Sequence, residues 1–244
     1  SSDLSLKATK SILVDPGAIV VGSISLTAGA TSLVADGLGK VKIRASVQDI
    51  DGNEAIGKTV NFTTTAGMVI PANSKTSDLG LAETMLQATT IAGPVTVRAE
   101  CDGFIAEVIV ELIPGPADHI LMYAFPNVVP PNGAFKTAAI IMDKYNNRID
   151  DQRLILQVRK VGNPAIIDSA ELTPDQAEDG VYRFDWTAAY GSEDLEITAK
   201  VNNGVSETVT IDVDENAIIV GSITVIAGAE SIEADGKSSV AIRA

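Results

Sequence analysis

The densest cluster of oxygen-bearing side chains in this 244-residue chain is Asp49-Ile50-Asp51-Gly52-Asn53-Glu54. Calcium takes several convergent oxygens, and Asp49, Asp51 and Asn53 alternate through a glycine turn that can supply them. The spacing lacks the distal Glu of an EF-hand loop. Asp, Gly and Asn are equally the residues that a metal-free β-turn needs, so both readings stand. Asp214-Glu215 is a second calcium candidate, at a domain junction. Asn61-Phe62-Thr63 is an N-glycosylation sequon. Asn61 should face outward, because Val60 and Phe62 on either side point inward, and the sequon matters only in a source that glycosylates such sites.

Catalytic chemistry has little to work with. The chain has one histidine, His119, and one cysteine, Cys101, placed on opposite sides of the break Ile113-Pro114-Gly115-Pro116. No glycine-rich phosphate loop, Gly-x-Ser-x-Gly elbow or metal-type Cys/His cluster is present. The expectation is therefore no catalytic residues, no enzyme, and no cofactor apart from the possible calcium. Cys101 reads as a semi-exposed thiol or a sheet residue, with an intermolecular disulfide as the lesser option. Trp186 with Tyr182, Phe184 and Tyr190 could form a sugar-stacking platform, but aromatics at alternate positions of one strand more often fill a core.

The elements that must position these residues can be narrowed by composition. Thirty-two acidic against 18 basic residues give a formal charge of −14. A phosphate backbone needs clustered Lys/Arg to release its counterions, and an anionic lipid surface repels the same excess. Nucleic acid and membrane insertion of this segment are therefore excluded as expectations. No apolar run reaches the roughly 18 residues that span a bilayer. Ser1-Ser2-Asp3-Leu4 does not begin a basic-then-apolar leader, so no signal peptide is expected. A single cysteine rules out an internal disulfide.

A long internal repeat organises the chain. Residues 22–45, GSISLTAGATSLVADGLGKVKIRA, and 221–244, GSITVIAGAESIEADGKSSVAIRA, are identical at 14 of 24 positions, with an offset of 221 − 22 = 199. A period of 199 is about twice the size of a 100-residue sandwich, so each period should hold two unlike domains. The expected organisation is 1–16 as the closing strand of a preceding or neighbouring domain, 17–114 and 115–215 as whole domains, and 216–244 as the opening strands of a further one. Something must complete the two end fragments, either a neighbouring copy or more chain. Asp102-Gly103 and Asn203-Gly204, 101 residues apart, each mark a hairpin, since both central residues of a type I′ turn take positive φ.

Alternation gives the fold class. Val41, Ile43, Ala45 and Val47 alternate with Lys42, Arg44, Ser46 and Gln48; Val95, Val97 and Ala99 alternate with Thr96, Arg98 and Glu100. In the second half, Tyr182, Phe184 and Trp186 alternate with Arg183 and Asp185, and Ile197 and Ala199 with Thr198 and Lys200. One buried and one wetted face per strand is the pattern of an antiparallel sandwich. Only Thr173–Ala177, with Pro174 after Thr173, hints at a helical turn. The prediction is all-β, as tandem immunoglobulin-like β-sandwich domains.

In the first whole domain Ala35-Asp36-Gly37, Val47–Asn53, Gly57–Thr64, Gly67, Thr76–Ala82 and Ala92–Ala99 follow one another in a characteristic order. Through them the domain resembles the bacterial Ig-like group 1 domain, the family that builds the stalks of intimin and invasin. In the second domain Gly115–Ile120, Ala138–Asp143 and Asn146–Ile149 resemble the same family, although the later glycine-turn motif is hard to find. The resemblance implies a rigid spacer at the cell surface and carries no catalytic residues. The expected role is a structural repeat segment of an extracellular or cell-surface protein: a filament, an S-layer or an adhesin stalk. Its expected partners are neighbouring Ig-like repeats or copies of itself. The alternative is an adhesive module recognising surface carbohydrate or host protein through sandwich loops.

Overall fold

A computed structural model describes residues 19–178, 180–186 and 190–218, together with the backbone of 226–227 and 242–243. The chain divides into two compact units between Gly115 and Pro116. The closing strand expected over 1–16 lies outside the described residues, as does most of 216–244.

In the first unit one sheet has the order β1 (Val21–Ala28), β3 (Lys40–Asp49), β7 (Leu81–Gln87), β5 (Met68–Ile70). The other has the order β2 (Ser32–Val34), β9 (Phe104–Ile113), β8 (Gly93–Cys101), β4 (Thr59–Thr64), β6 (Asn73–Lys75). Every pairing is antiparallel except β2 on β9. The predicted alternation decides which side is dry: Val41, Ile43, Ala45 and Val47 of β3 are buried, as are Val60 and Phe62 of β4 and Val95, Val97 and Ala99 of β8. They meet in one core cluster drawn from both sheets. Each fully buried Val, Ile or Leu there contributes about 1.5–3 kcal/mol.

The second unit builds two sheets on a similar plan, with its last two edge strands connected differently. Its sheets have the orders β10 (Ala117–Phe125), β12 (Phe135–Asp143), β17 (Val181–Trp186), β16 (Ala177–Glu178) and β11 (Val128–Val129), β19 (Ser206–Val213), β18 (Leu195–Lys200), β14 (Leu154–Lys160), β15 (Ile166–Leu172). A short β13 (Arg148–Ile149) also pairs with β12. β11 on β19 is again the parallel pair. Even the irregularities recur: the first strand shifts register between Val21 and Ser23 in one unit and between Ala117 and His119 in the other. The helical hint at Thr173 is a 3-10 turn over Pro174–Gln176, where the Gln176 Oε1 accepts the Thr173 backbone N–H at 2.9 Å.

The pairing also locates the glycine turn that is hard to find by eye. Ser46 faces Leu81 in the first unit and Ile140 faces Val181 in the second. Gly80 and Gly180 therefore occupy one structural position, with φ of 67° and 70°. The two hairpin signals part ways. Asp102 (φ 49°) and Gly103 (φ 88°) form the two-residue turn between Cys101 and its partner Phe104, as predicted. At Asn203-Gly204 only Gly204 has positive φ, and the loop closes between Val201 and Val205. That is a longer turn with glycine in the left-handed position, not a type I′ pair.

Later in the chain, β20 (Ile226–Ala227) pairs antiparallel with β21 (Ile242–Arg243), Ile226 opposite Arg243 and Ala227 opposite Ile242. Shifted back by the 199-residue period, these are the pairs Thr27 with Arg44 and Ala28 with Ile43, which are the observed partners in β1 and β3. The repeat in sequence is a repeat in register.

Candidate interaction surface

Asp49 ends β3, and the chain turns back on it. Its Oδ1 accepts the backbone N–H groups of Asp51 (2.9 Å) and Asn53 (2.8 Å), and its Oδ2 accepts the Asn53 amide Nδ2–H at 3.3 Å. The Gly52 N–H donates to the Asp49 carbonyl, with Gly52 at φ 85°. Donation from the Asn53 backbone N–H, first among these bonds, holds the Asp49 carboxyl below its ordinary value. The second unit builds the same turn from Asp143-Lys144-Tyr145-Asn146-Asn147. There the Asp143 Oδ1 accepts from Tyr145 (2.8 Å) and Asn147 (2.9 Å), Oδ2 accepts from the Asn147 side chain (2.9 Å), and Asn146 takes φ 66°.

The recurring part is one aspartate capping the turn and one asparagine closing it. Asp51 has Tyr145 as its counterpart, which brings no carboxylate. The Asp49 carboxylate is thus hydrogen-bonded to its own turn. At the junction, Asp214 Oδ1 likewise accepts the Asn216 N–H at 2.8 Å. Among the described residues no group of three or more His, Cys, Asp or Glu is arranged to hold a metal ion.

Asn61 and Thr63 lie exposed on the outer face of β4, with Val60 and Phe62 buried between and beside them. Cys101 is a buried sheet residue, not a semi-exposed thiol, and burial followed by the Asp102 charge raises its pKa. His119 lies in the other unit, its Nδ1 3.2 Å from the Asp118 carboxylate. The four aromatics form no sugar platform. Tyr182, Trp186 and Tyr190 are core, with Phe184 packed against them and Phe135 stacked 6.0 Å from Trp186. Their polar ends are satisfied inside: Trp186 Nε1–H donates to Thr137 Oγ1 (3.0 Å), Tyr182 to the Gln152 carbonyl, and Tyr190 to Asp168 (2.6 Å). Burial, then the Asp168 carboxylate, pushes the Tyr190 phenol well above its ordinary range.

An unanticipated surface lies on the outside of β10, β12 and β17. Leu121, Tyr123 and Phe125 project from β10 and are 38%, 59% and 76% exposed. Across the sheet they meet Ile140, Ala138 and Lys136 of β12, which in turn face Val181, Arg183 and Asp185 of β17. Beside Phe125 a groove of about 270 Å³ runs between Phe125, Pro126 and Ala134, with Phe135 and Trp186 at its floor and Lys136 and Asp185 at its edge. Ordinary solvated sheets put polar side chains there. The first unit does so: Ser25 and Thr27 hold the positions of Leu121 and Tyr123, facing Ser46 and Arg44, with Lys42 and Arg44 paired to Glu83 at 3.0 and 2.9 Å. The sequence signal is the unbroken apolar run Ile120–Phe125, where alternation fails.

Both units are thus antiparallel-dominated, two-sheet sandwiches of immunoglobulin-like type, whose turns are built and whose outer faces vary. Residues 23–113, within the first unit, match the bacterial Ig-like domain (group 1) family. No curated protein matches the chain by sequence. Among solved structures, InvD of Yersinia pseudotuberculosis is similar with a TM-score of 0.60 and 17% identity, over 87% of this chain and 65% of that one. FdeC, an adhesin of Escherichia coli, has a TM-score of 0.51 and 15% identity, over 80% of this chain and 66% of that one. The chain therefore spans about two thirds of the length of each, and the likeness is one of fold. Among the described residues no helix is long and apolar enough to cross a membrane.

Proposed function

We propose that this chain is a structural repeat segment of a cell-surface or extracellular protein, a spacer and self-assembly unit of a filament, S-layer or adhesin stalk. The observation that carries this reading is the 199-residue repeat with its conserved register, Ile226 opposite Arg243 as Thr27 is opposite Arg44. A sequence that restarts the same strand pair after two complete sandwiches is built for concatenation. The site chemistry agrees with a mechanical role, because the acidic turns spend their carboxylates on the backbone and the aromatic groups on the core. Likeness to an adhesin in fold gives the second reading, a module that binds carbohydrate or host protein through its loops.

Length measurement separates the two. Placing a second copy of residues 46–244 after Ala244 regenerates one further period. Small-angle scattering should then show the maximum dimension growing by the same increment with each period added. A dimension that stays constant as periods are added sinks the spacer reading, and specific glycan-array binding by a strict monomer favours the module.

A further inference from the structure

We propose that the outer face of β10, β12 and β17 joins two copies of this chain, each inserting its Phe125 ring into the groove beside the Phe125 of the other. The contact itself stands on the geometry of the second unit. Only its repetition along an array rests on the structural-repeat reading.

The fold does not require an apolar face here. In the first unit β1, β3 and β7 hold the places of β10, β12 and β17, and Ser25, Thr27 and Arg44 stand where Leu121, Tyr123 and Ala138 do. Apolar side chains at Leu121, Tyr123 and Phe125 gain nothing from the core, since they point away from it, and a contiguous exposed apolar face marks a contact surface.

The shape points to a second copy. A knob, Phe125, stands directly beside a hole that it helps to wall. On a two-fold axis each copy then offers one knob and receives one, as an isologous contact demands. The groove, at about 270 Å³, exceeds the roughly 150 Å³ cavity that accommodates benzene, so a phenyl ring fits.

Charge agrees. The chain carries −14, and two copies repel each other over most of their surface. The rim of this face is balanced, with Lys136 paired to Asp185 at 2.9 Å and Arg183 to Glu178 at 3.2 Å. Each pair can exchange partners across the axis. Salt, by screening the long-range repulsion, should strengthen this association, whereas it would weaken capture of a cationic partner.

Magnitude sets the character of the contact. Nine residues at about 3.4 Å and three strands at about 4.8 Å give a face of roughly 400 Å². That is about half the area per partner of a standard stable interface, near 800 Å². A single contact is therefore weak, and copies presented once per period along an array bind through number.

Sedimentation equilibrium of the 244-residue chain, carried to about 1 mM, tests this at low and at physiological salt. The expected result is a monomer–dimer equilibrium that tightens with salt, accompanied by a concentration-dependent change in the emission of Trp186, the one tryptophan, at the groove floor. Phe125→Ser removes the knob and Ala134→Phe fills the hole. Each should weaken dimerisation by about tenfold or more while leaving the unfolding midpoint unchanged. Should either variant lose stability, Tyr123→Thr, which copies the first unit, provides the same comparison. A chain that stays monomeric throughout overturns the proposal, as does a dimer that all three variants leave intact. Glycan binding by the monomer that Phe125→Ser abolishes also overturns it, assigning the face to sugar. The length series repeated with Phe125→Ser tests the spacer reading independently, because a spacer keeps its increments without the contact.

Discussion

The two sandwiches share the order of seven strands, differ in how their edge strands are connected, and differ in what fills and what covers them. The first core cluster contains six alanines and a single aromatic, Phe62, whereas the second contains two alanines and four aromatics, Phe135, Tyr182, Trp186 and Tyr190. On the equivalent outer face the order reverses in kind: the first presents Ser25, Thr27 and Arg44 where the second presents Leu121, Tyr123 and Ala138. The strand order that the two units share therefore depends on neither the size of the core residues nor the polarity of the outer face. It follows from period-two burial and from turns held by the same devices, an aspartate cap and a left-handed glycine.

Substitution in the aromatic core should have the largest effect. Trp186→Ala removes the stack on Phe135 and leaves Thr137 without its donor, at a cost of about 3–5 kcal/mol. Each unit has its own core, so calorimetry should show one transition lowered and the other in place. A single transition moving as a whole would break the comparison between independent units.

The shared glycine comes next. At Gly80 an added Cβ would lie 2.6 Å from the Val47 carbonyl oxygen, while at Gly180 the nearest atoms are the flexible Arg148 side chain at 3.3 Å. Both positions carry positive φ. Gly80→Ala should cost about 3 kcal/mol and Gly180→Ala about 1 kcal/mol, measured by urea denaturation. Equal costs would mean that backbone strain alone matters there.

The aspartate caps sharpen the contrast further. Asp143 is 1% exposed, so Asp143→Ala removes a buried acceptor of three part-buried bonds and should cost about 2–3 kcal/mol. Asp49→Ala should cost less, because water reaches its turn. Asp49 also predicts a pH dependence. Its folded-state value lies below the ordinary 3.8, so the stability it contributes is present above pH 3.8 and lost as pH falls through the lowered value. The stability gap between wild type and Asp49→Asn, followed by chemical denaturation from pH 6 to about pH 2, should close across that acid window. A gap that persists unchanged would show that the charge on Asp49 contributes nothing.

Smallest in stability is an exchange of outer faces. Leu121→Ser with Tyr123→Thr, and separately Ser25→Leu with Thr27→Tyr, should each shift unfolding by no more than about 0.5 kcal/mol. Solubility and self-association should nonetheless move in opposite directions in the two variants.

Much of this was legible in the residues. The alternation in β3, β4, β8, β17 and β18 and the hairpin at Asp102-Gly103 follow from side-chain period and turn sterics, which are local. The core role of Trp186 was one of two readings, and only the packing of Phe135 and Tyr190 from distant segments decides it. The caps were hidden because a carboxylate that binds its own turn and one that awaits a cation have the same sequence. The face of β10 escaped for a related reason. A run such as Ile120–Phe125 says that both sides of a strand are apolar, and nothing local says that only one side has a neighbour.

The register shared by β1–β3 and β20–β21 has a consequence for how such a chain is made. Two stretches able to form the same strand pair are also able to take each other's partners, and misassembly between like neighbours is a characteristic failure of repetitive proteins. Here an unlike sandwich separates the like stretches, so interchangeable strands emerge from the ribosome 199 residues apart. At about 5–20 residues per second, that interval leaves one sandwich roughly ten seconds or more to close before its double arrives.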